Sequence, residues 1–293
     1  MTELAQTTPT AGTWPQTRAR PRLSLWRLKG ILFGAALVLL LATITLAAPR
    51  LSAADPLAVD PTAAFSPPSW GHPMGTDNIG RDVWARFLYG GRISLLVGVV
   101  AMAISSTAGT LAGILAGYYG GWVDSLLSWL TEVLMAFPGI LLALMVIAVL
   151  GPGLLNVMVA VGIGSMPSFM RMSRSTVLQV RQLEYVEAAR SIGCPDTRLL
   201  FRHILPNILR PLVMLATLGI GGAILEGAAL NFLGLGAQPP APEWGSMLSS
   251  GRAFLNQGWW ISIFPGLGIF LAILGINLLG DGLNEIFDPR ARH

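Results

Sequence analysis

The sequence predicts an all-helical membrane protein with six transmembrane helices and both termini in the cytoplasm, and three features predict it. Of 293 residues, 53% are hydrophobic and 12% charged, for a mean hydropathy of +0.62. Soluble domains carry roughly a quarter charged residues, so water would not hold this surface. The apolar residues fall into six long runs, each close to the roughly 20 helical residues that cross about 30 Å of hydrocarbon. Within those runs the charged side chains are Glu132 and Glu226; all others fall between them. Lipid offers no partner to a backbone N–H or C=O, so each run is expected as a helix.

Residues 1–29, rich in Thr, Pro and Arg, read as a disordered cytoplasmic tail that ends in a basic anchor. The first span is placed at 30–48. A basic flank and Leu46-Ala47-Ala48 resemble a signal peptide, but the apolar run exceeds a usual h-region and five more spans follow. Residues 49–92 form a proline-rich outer loop. In it Ile79, Val83, Trp84, Phe87 and Leu88 recur at helical spacing, predicting a short amphipathic helix capped by Thr76 or Asp77. That helix is read either as a docking surface or as a simple re-entry into the second span.

Residues 93–280 hold the remaining spans: Ile93 to Gly117, Ser125 to Leu150, Leu154 to Met170, Pro211 to Leu235 and Trp260 to Gly280. Gly109, Gly113 and Gly117 recur every fourth residue in the second span, a stripe that lets helix backbones approach closely. Arg92, at the outer end of that span, reads as a headgroup anchor. The outer loop 236–259 has no clear period, and its Trp244 and Trp259 are expected at headgroup level. Residues 281–293 are the cytoplasmic C-terminus. Orientation follows from the basic residues. With the N-terminus inside, Arg18, Arg20, Arg22, Arg27 and Lys29, then Arg171, Arg174, Arg181, Arg190, Arg198, Arg202 and Arg210, then Arg290 and Arg292 are cytoplasmic. Arg50, Arg81, Arg86, Arg92 and Arg252 face out. The net charge of +4 therefore marks sidedness, and no nucleic-acid partner is expected.

The cytoplasmic segment 171–207 is longer than a hairpin needs, and its pattern implies two helices. The first stops at Gly193, the position of a left-handed cap. The second has Pro195 at its first position and Asp196 in its first turn, and is expected to end at Pro206. Leu199, Leu200, Phe201 and Ile204 give it apolar surface, while Arg198, Arg202 and His203 give it positive charge. Such a helix either lies on the anionic inner leaflet or fits a groove on a cytoplasmic partner.

Glu187-Ala188-Ala189, then Gly193, then Leu205-Pro206 resembles the EAA motif of inner-membrane permeases of binding-protein-dependent ABC importers. The family pattern has Ile two residues before the Leu-Pro pair; here His203 stands there, with Ile204 beside it. The longer string Phe201 to Asn207 resembles the dipeptide and oligopeptide branch. So do Gly75 to Asp82, Ala136 to Leu144, Asn231 to Gly236 with Gln238-Pro239-Pro240 and Trp244-Gly245, and Gly280 to Leu283 with Asp288-Pro289-Arg290. The resemblance covers about residues 30 to 290 and is nearest to the C-type permease subunit.

That resemblance implies a type I ABC importer permease fold in the bacterial or archaeal inner membrane. It implies four partners: a homologous second permease, two cytoplasmic ABC ATPases and an extracytoplasmic solute-binding protein. By resemblance the ATPase-coupling residues are Glu187, Ala188, Ala189, Gly193, Pro195, Arg198, Leu199, Leu200, Arg202, His203, Ile204, Leu205 and Pro206. Glu187 would fix the angle between the two short helices and Gly193 would permit the sharp turn. The implied cargo is a di- or oligopeptide; the alternative is nickel or a nickel chelate.

This chain is not expected to be an enzyme. It has no G-x-x-x-x-G-K-[ST] phosphate loop, and ATP and Mg belong to the partner ATPases. His72, His203 and His293 lie in separate segments, so no catalytic set and no metal site are expected, and no cofactor in this chain. The single Cys194 excludes a disulfide framework. Ionisable groups inside spans face protein or a water-filled cavity, which makes Glu132 and Glu226 candidate pathway residues. They also permit a rival class, an ion-coupled carrier with the two glutamates as relay. The carrier leaves the cytoplasmic helix pair unexplained; a structural or sensory protein, the third class, would show no substrate flux.

Overall fold

The computed structural model describes residues 25–287, which are almost entirely helical. The expected basic flank Arg18, Arg20 and Arg22, the C-terminal string from Asp288 to Arg290, and Arg292 and His293 lie outside the described residues. Helix α1 (Leu25–Leu46) begins inside the segment expected as tail, and the short α2 (Ala48–Leu51) turns the chain at the outer surface. Next comes α3 (Val83–Tyr119), 37 residues and so about 55 Å long, well beyond the hydrocarbon thickness. Of the two readings of the amphipathic segment, the re-entry into the second span holds, with Ile79 left in the loop before it. Val83, Trp84, Phe87 and Leu88 form the first turns of α3, and the cap is Asp82, whose carboxylate accepts the Ala85 N–H at 2.7 Å. Asp77 is instead spent inside the loop, accepting the backbone N–H groups of Ile79 and Arg81 and the Arg81 guanidinium at 2.6 Å.

The third expected span is not one helix. It breaks into α4 (Gly121–Met135) and α5 (Gly139–Leu150), bent by 99°. Pro138 supplies no N–H to continue α4, and its extended backbone (φ −55°, ψ 136°) starts α5 in a new direction. The fourth span, α6 (Leu154–Val180), runs past its expected end at Met170 into the cytoplasm. Among the described residues five helices are long and apolar enough to cross a membrane, and the bent pair, counted as one span, would make a sixth. The outer loop expected to lack a period contains α10 (Trp244–Gly251), and α11 (Trp260–Phe287) completes the bundle.

Helix α3 packs along α6 and against α9 (Leu205–Phe232), while α1 lies on α11 and α11 on α9. The glycine stripe sets the first of these distances. A Cβ at Gly109 would meet Phe169 Cβ at 2.6 Å, one at Gly113 would meet Met170 O at 2.5 Å, and one at Gly117 would meet Arg174 O at 2.9 Å. Two apolar clusters follow. One runs through α3, α5, α6 and α9 into the cytoplasmic segment and includes Val97, Phe169, Val177, Leu199 and Ile204. The other gathers beneath the outer loops and includes Leu41, Phe87, Leu88, Trp244 and Trp260.

Polar ties hold the outer end. Arg92 is not a free headgroup anchor: its guanidinium donates to Thr45 O at 2.6 Å and to Leu46 O, closing the C-terminus of α1. Arg86, buried, donates to Pro56 O at 3.0 Å and Pro240 O at 3.4 Å and so joins the two outer loops. Trp244 is fully buried rather than at headgroup level, donating from Nε1 to Phe87 O at 2.9 Å. Beside it the Glu243 carboxylate caps α10, accepting from Ser94 Oγ and Ser246 N–H, both at 2.8 Å. Burial pushes the Glu243 carboxyl pKa up, while those donors and the Gly245 N–H pull it down.

Candidate functional site

The cytoplasmic segment is built on a helix whose end is set by glycine. Helix α7 (Glu184–Ser191) closes with Gly193 at φ +80°. Gly193 N–H donates to Arg190 O at 3.0 Å and Cys194 N–H to Ala189 O at 3.1 Å, the paired bonds of a Schellman cap. Pro195 then caps α8 (Asp196–Arg198), which passes through a π-helical stretch, Leu199–Ile204, directly into α9. Pro206 therefore does not end the second helix, as expected from sequence. It stands in the first turn of α9, just where the hydrogen-bond register changes from π to α, a position that tolerates proline. The outcome is one helical rod from Asp196 to Phe232.

Within the segment, one face is core and the other is open. Val186, Leu199, Ile204 and Ile208 are fully buried. Leu200, His203, Leu205 and Ala189 are half-buried, and Glu187, Ala188, Gly193, Pro195, Arg198, Arg202 and Pro206 are exposed. Phe201 is 71% exposed and Ile192 86% exposed, two apolar side chains presented outward beside Arg198 and Arg202. Glu187, expected to fix the angle between the helices, is exposed, and its carbonyl accepts from Ser191 Oγ at 3.0 Å. Tyr185 and Asn207 make the cross-tie: Asn207 Nδ2 donates to Tyr185 Oη at 3.0 Å and to His203 O at 2.6 Å.

The segment is also fastened to α3. Tyr118 Oη donates to Asp196 Oδ1 at 2.5 Å, the Arg190 guanidinium lies 5.7 Å over the Tyr118 ring, and Arg181 donates to Gly117 O at 2.8 Å. Sequence reading missed Tyr118, because its partner is 78 residues away and nothing local marks it.

The two candidate pathway residues lie apart. Glu132 of α4 is exposed and lines a cavity of about 80 Å³ with Thr131, Met170, Arg171 and Arg174. Arg174 pairs there with Asp124, tying α4 to α6. Glu226 of α9 faces the bend between α4 and α5 instead. Among the described residues no group of three or more His, Cys, Asp or Glu is placed to hold a metal ion.

With that geometry in place, comparison with known proteins is specific. The family described as "Binding-protein-dependent transport system inner membrane component" matches residues 109–293. The chain is similar to the dipeptide transport system permease protein DppC of Alkalihalophilus pseudofirmus, 45% identical over 85% of this chain and 82% of that one. It is also similar to the glutathione transport system permease protein GsiD of Escherichia coli O6:K15:H31, 50% identical over 77% of this chain and 74% of that one. Among solved structures it resembles an inward-facing MetNI methionine ABC transporter, with a TM-score of 0.54 at 18% identity, covering 67% of this chain and 93% of that one. It resembles an amino acid ABC transporter with a TM-score of 0.51 at 15% identity, covering 67% and 91%.

Proposed function

The chain belongs to the family of binding-protein-dependent transport system inner membrane components, and from that premise we propose that it is the permease subunit of an ATP-driven importer of di- or oligopeptides. It is a transport subunit of the inner membrane. The peptide cargo is supported by the likeness to dipeptide and glutathione permeases. An ion-coupled carrier has no support from these relatives. In the proposed complex a second permease completes the pathway, two ATPases bind and hydrolyse ATP with Mg, and an extracytoplasmic binding protein delivers the peptide.

The observation that carries the mechanism is the two-faced cytoplasmic segment. Its outer face offers Phe201 and Ile192 with flanking arginines to a groove on an ATPase, a helix-in-groove mode in which a few apolar anchors supply most of the affinity. Its inner face is cemented into the bundle by Leu199 and Ile204. No flexible loop separates the docked turns from α9, since the helical rod is unbroken from Asp196 to Phe232. A push on Phe201 is therefore passed along α9, and through Tyr118 and Asp196 to α3. Closure of the ATPases on ATP would draw the segments together and open the pathway outward. Hydrolysis would reset it inward.

The test is uptake of a labelled dipeptide, a longer peptide and Ni²⁺ by cells lacking the gene, with and without ATP depletion. Loss of ATP-dependent peptide uptake is the expected result, and the length dependence assigns dipeptide or oligopeptide. Loss of nickel uptake alone keeps the mechanism and overturns the cargo.

A further inference from the structure

Glu226 sits where the broken helix meets its neighbours. A Cβ at Gly139, the first residue of α5, would lie 3.3 Å from Glu226 Oε1, and a Cβ at Gly164 of α6 would lie 3.3 Å from Gly139 O. The start of α5 thus lies against α6, with the Glu226 carboxylate of α9 beside it. Glu226 Oε2 is shut off from solvent and accepts no hydrogen bond among the described residues. One turn earlier on the same face of α9, Gly222 has open space around it, with no atom within 4 Å of where its Cβ would be. A carboxylate held at such a place is complementary to a cation that arrives from elsewhere.

We propose that Glu226 is a specificity-determining residue that receives the free α-ammonium group of a peptide as it passes the bend between α4 and α5. The inference rests on the peptide-importer reading above. An importer of peptides with varied side chains has few features common to all its cargo, and the amino-terminal charge is one of them. Gly139 and Gly164 mark close packing on one side of the carboxylate, while the open space at Gly222, one turn away on α9, leaves a peptide room to approach.

The experiment uses proteoliposomes holding the complete importer with saturating peptide-loaded binding protein, so that binding-protein affinity drops out of the rate. Glu226→Gln keeps the size and an acceptor oxygen but removes the charge; Glu226→Asp keeps the charge and loses a methylene. Uptake of a dipeptide with a free amino terminus is expected to fall about tenfold in Glu226→Gln, and much less in Glu226→Asp. Uptake of the N-acetylated dipeptide should stay within about twofold in both. If Gln outperforms Asp, or the two peptides fall together, Glu226 serves packing at the bend and the proposal is overturned. Unchanged uptake in both variants overturns it too. Should the wild-type complex move too little acetylated peptide to compare, the order of Asp and Gln on the free peptide decides. A wild-type importer that moves no peptide at all sinks the importer reading itself, and the inference with it.

Discussion

Gly113 shows how one missing side chain sets the distance between two spans. Lipid gives helices no hydrophobic reason to associate, so close backbone contact must supply the attraction. A Cβ there would meet the Met170 carbonyl oxygen and Ser173 Cβ at 2.5 and 2.6 Å, and neither can swing aside without moving α6. Gly113→Ala should therefore cost about 1–3 kcal/mol. Gly30→Ala, with nothing within 4 Å, should cost nothing and add helix propensity. Thermal unfolding of the purified complex in detergent checks the pair, and equal midpoints would remove the close-packing argument. Arg92 makes the same point for polar groups: its place at the end of a span suggested lipid, yet the unpaired carbonyls closing α1 claim it.

At the scale of elements, the decisive features are a helix that ends on time and a helix that does not. Gly193 stops α7 because its φ of +80° is open to glycine and costs other residues about 1–2 kcal/mol. No neighbour lies within 4 Å of where its Cβ would be, so a substitution there strains backbone alone. Gly193→Val should lower peptide uptake per ATP hydrolysed several-fold, with Gly193→Asn nearer wild type because Asn tolerates the left-handed region. Parallel uptake and ATPase measurements decide it; equal behaviour of Val and Asn would refute a conformational role. Pro206 is the opposite case. Proline normally ends a helix, but Pro206 stands in the first turn of α9 just after the π-helical stretch, and the helix runs on. Pro167, Pro211 and Pro265 also sit inside helices, whereas Pro138 breaks one.

The whole molecule is held by two cores, one continuous with the cytoplasmic segment and one under the outer loops. In the proposed complex this division would put ATPase docking and cargo delivery at different ends of the bundle. Trp244 is the centrepiece of the outer core, fully buried and stacked on Phe87 at 5.3 Å. Trp244→Ala should cost about 3–5 kcal/mol through the cavity it leaves. Trp70→Ala should cost almost nothing, since Trp70 is fully exposed. A thermal shift comparison of the two separates them, and a large loss for Trp70 would relocate the outer anchor.

The chain's composition, the positions of its apolar runs and its glycine and EAA-type strings were enough to determine an all-helical permease of five to six spans with a long cytoplasmic segment that turns at Gly193. These are local properties: segment length against hydrocarbon thickness, the sign of loop charges, and a glycine at a left-handed turn can all be read without knowing what lies alongside. Within the candidate site Gly193 was legible for that reason, as cap chemistry, whereas Leu199 and Ile204, expected as apolar surface for the leaflet or a partner groove, are buried in the bundle. Only the tertiary structure decided that Pro138 breaks its helix while Pro206 does not, that Arg92 caps α1, that Phe201 points outward, and that Tyr118 ties α3 to Asp196. It also decided that Glu226 faces the bend of α4 and α5 while Glu132 faces a separate cavity. Each of these depends on groups distant in the chain, and a sequence states which donors, acceptors and surfaces exist but not which of them meet.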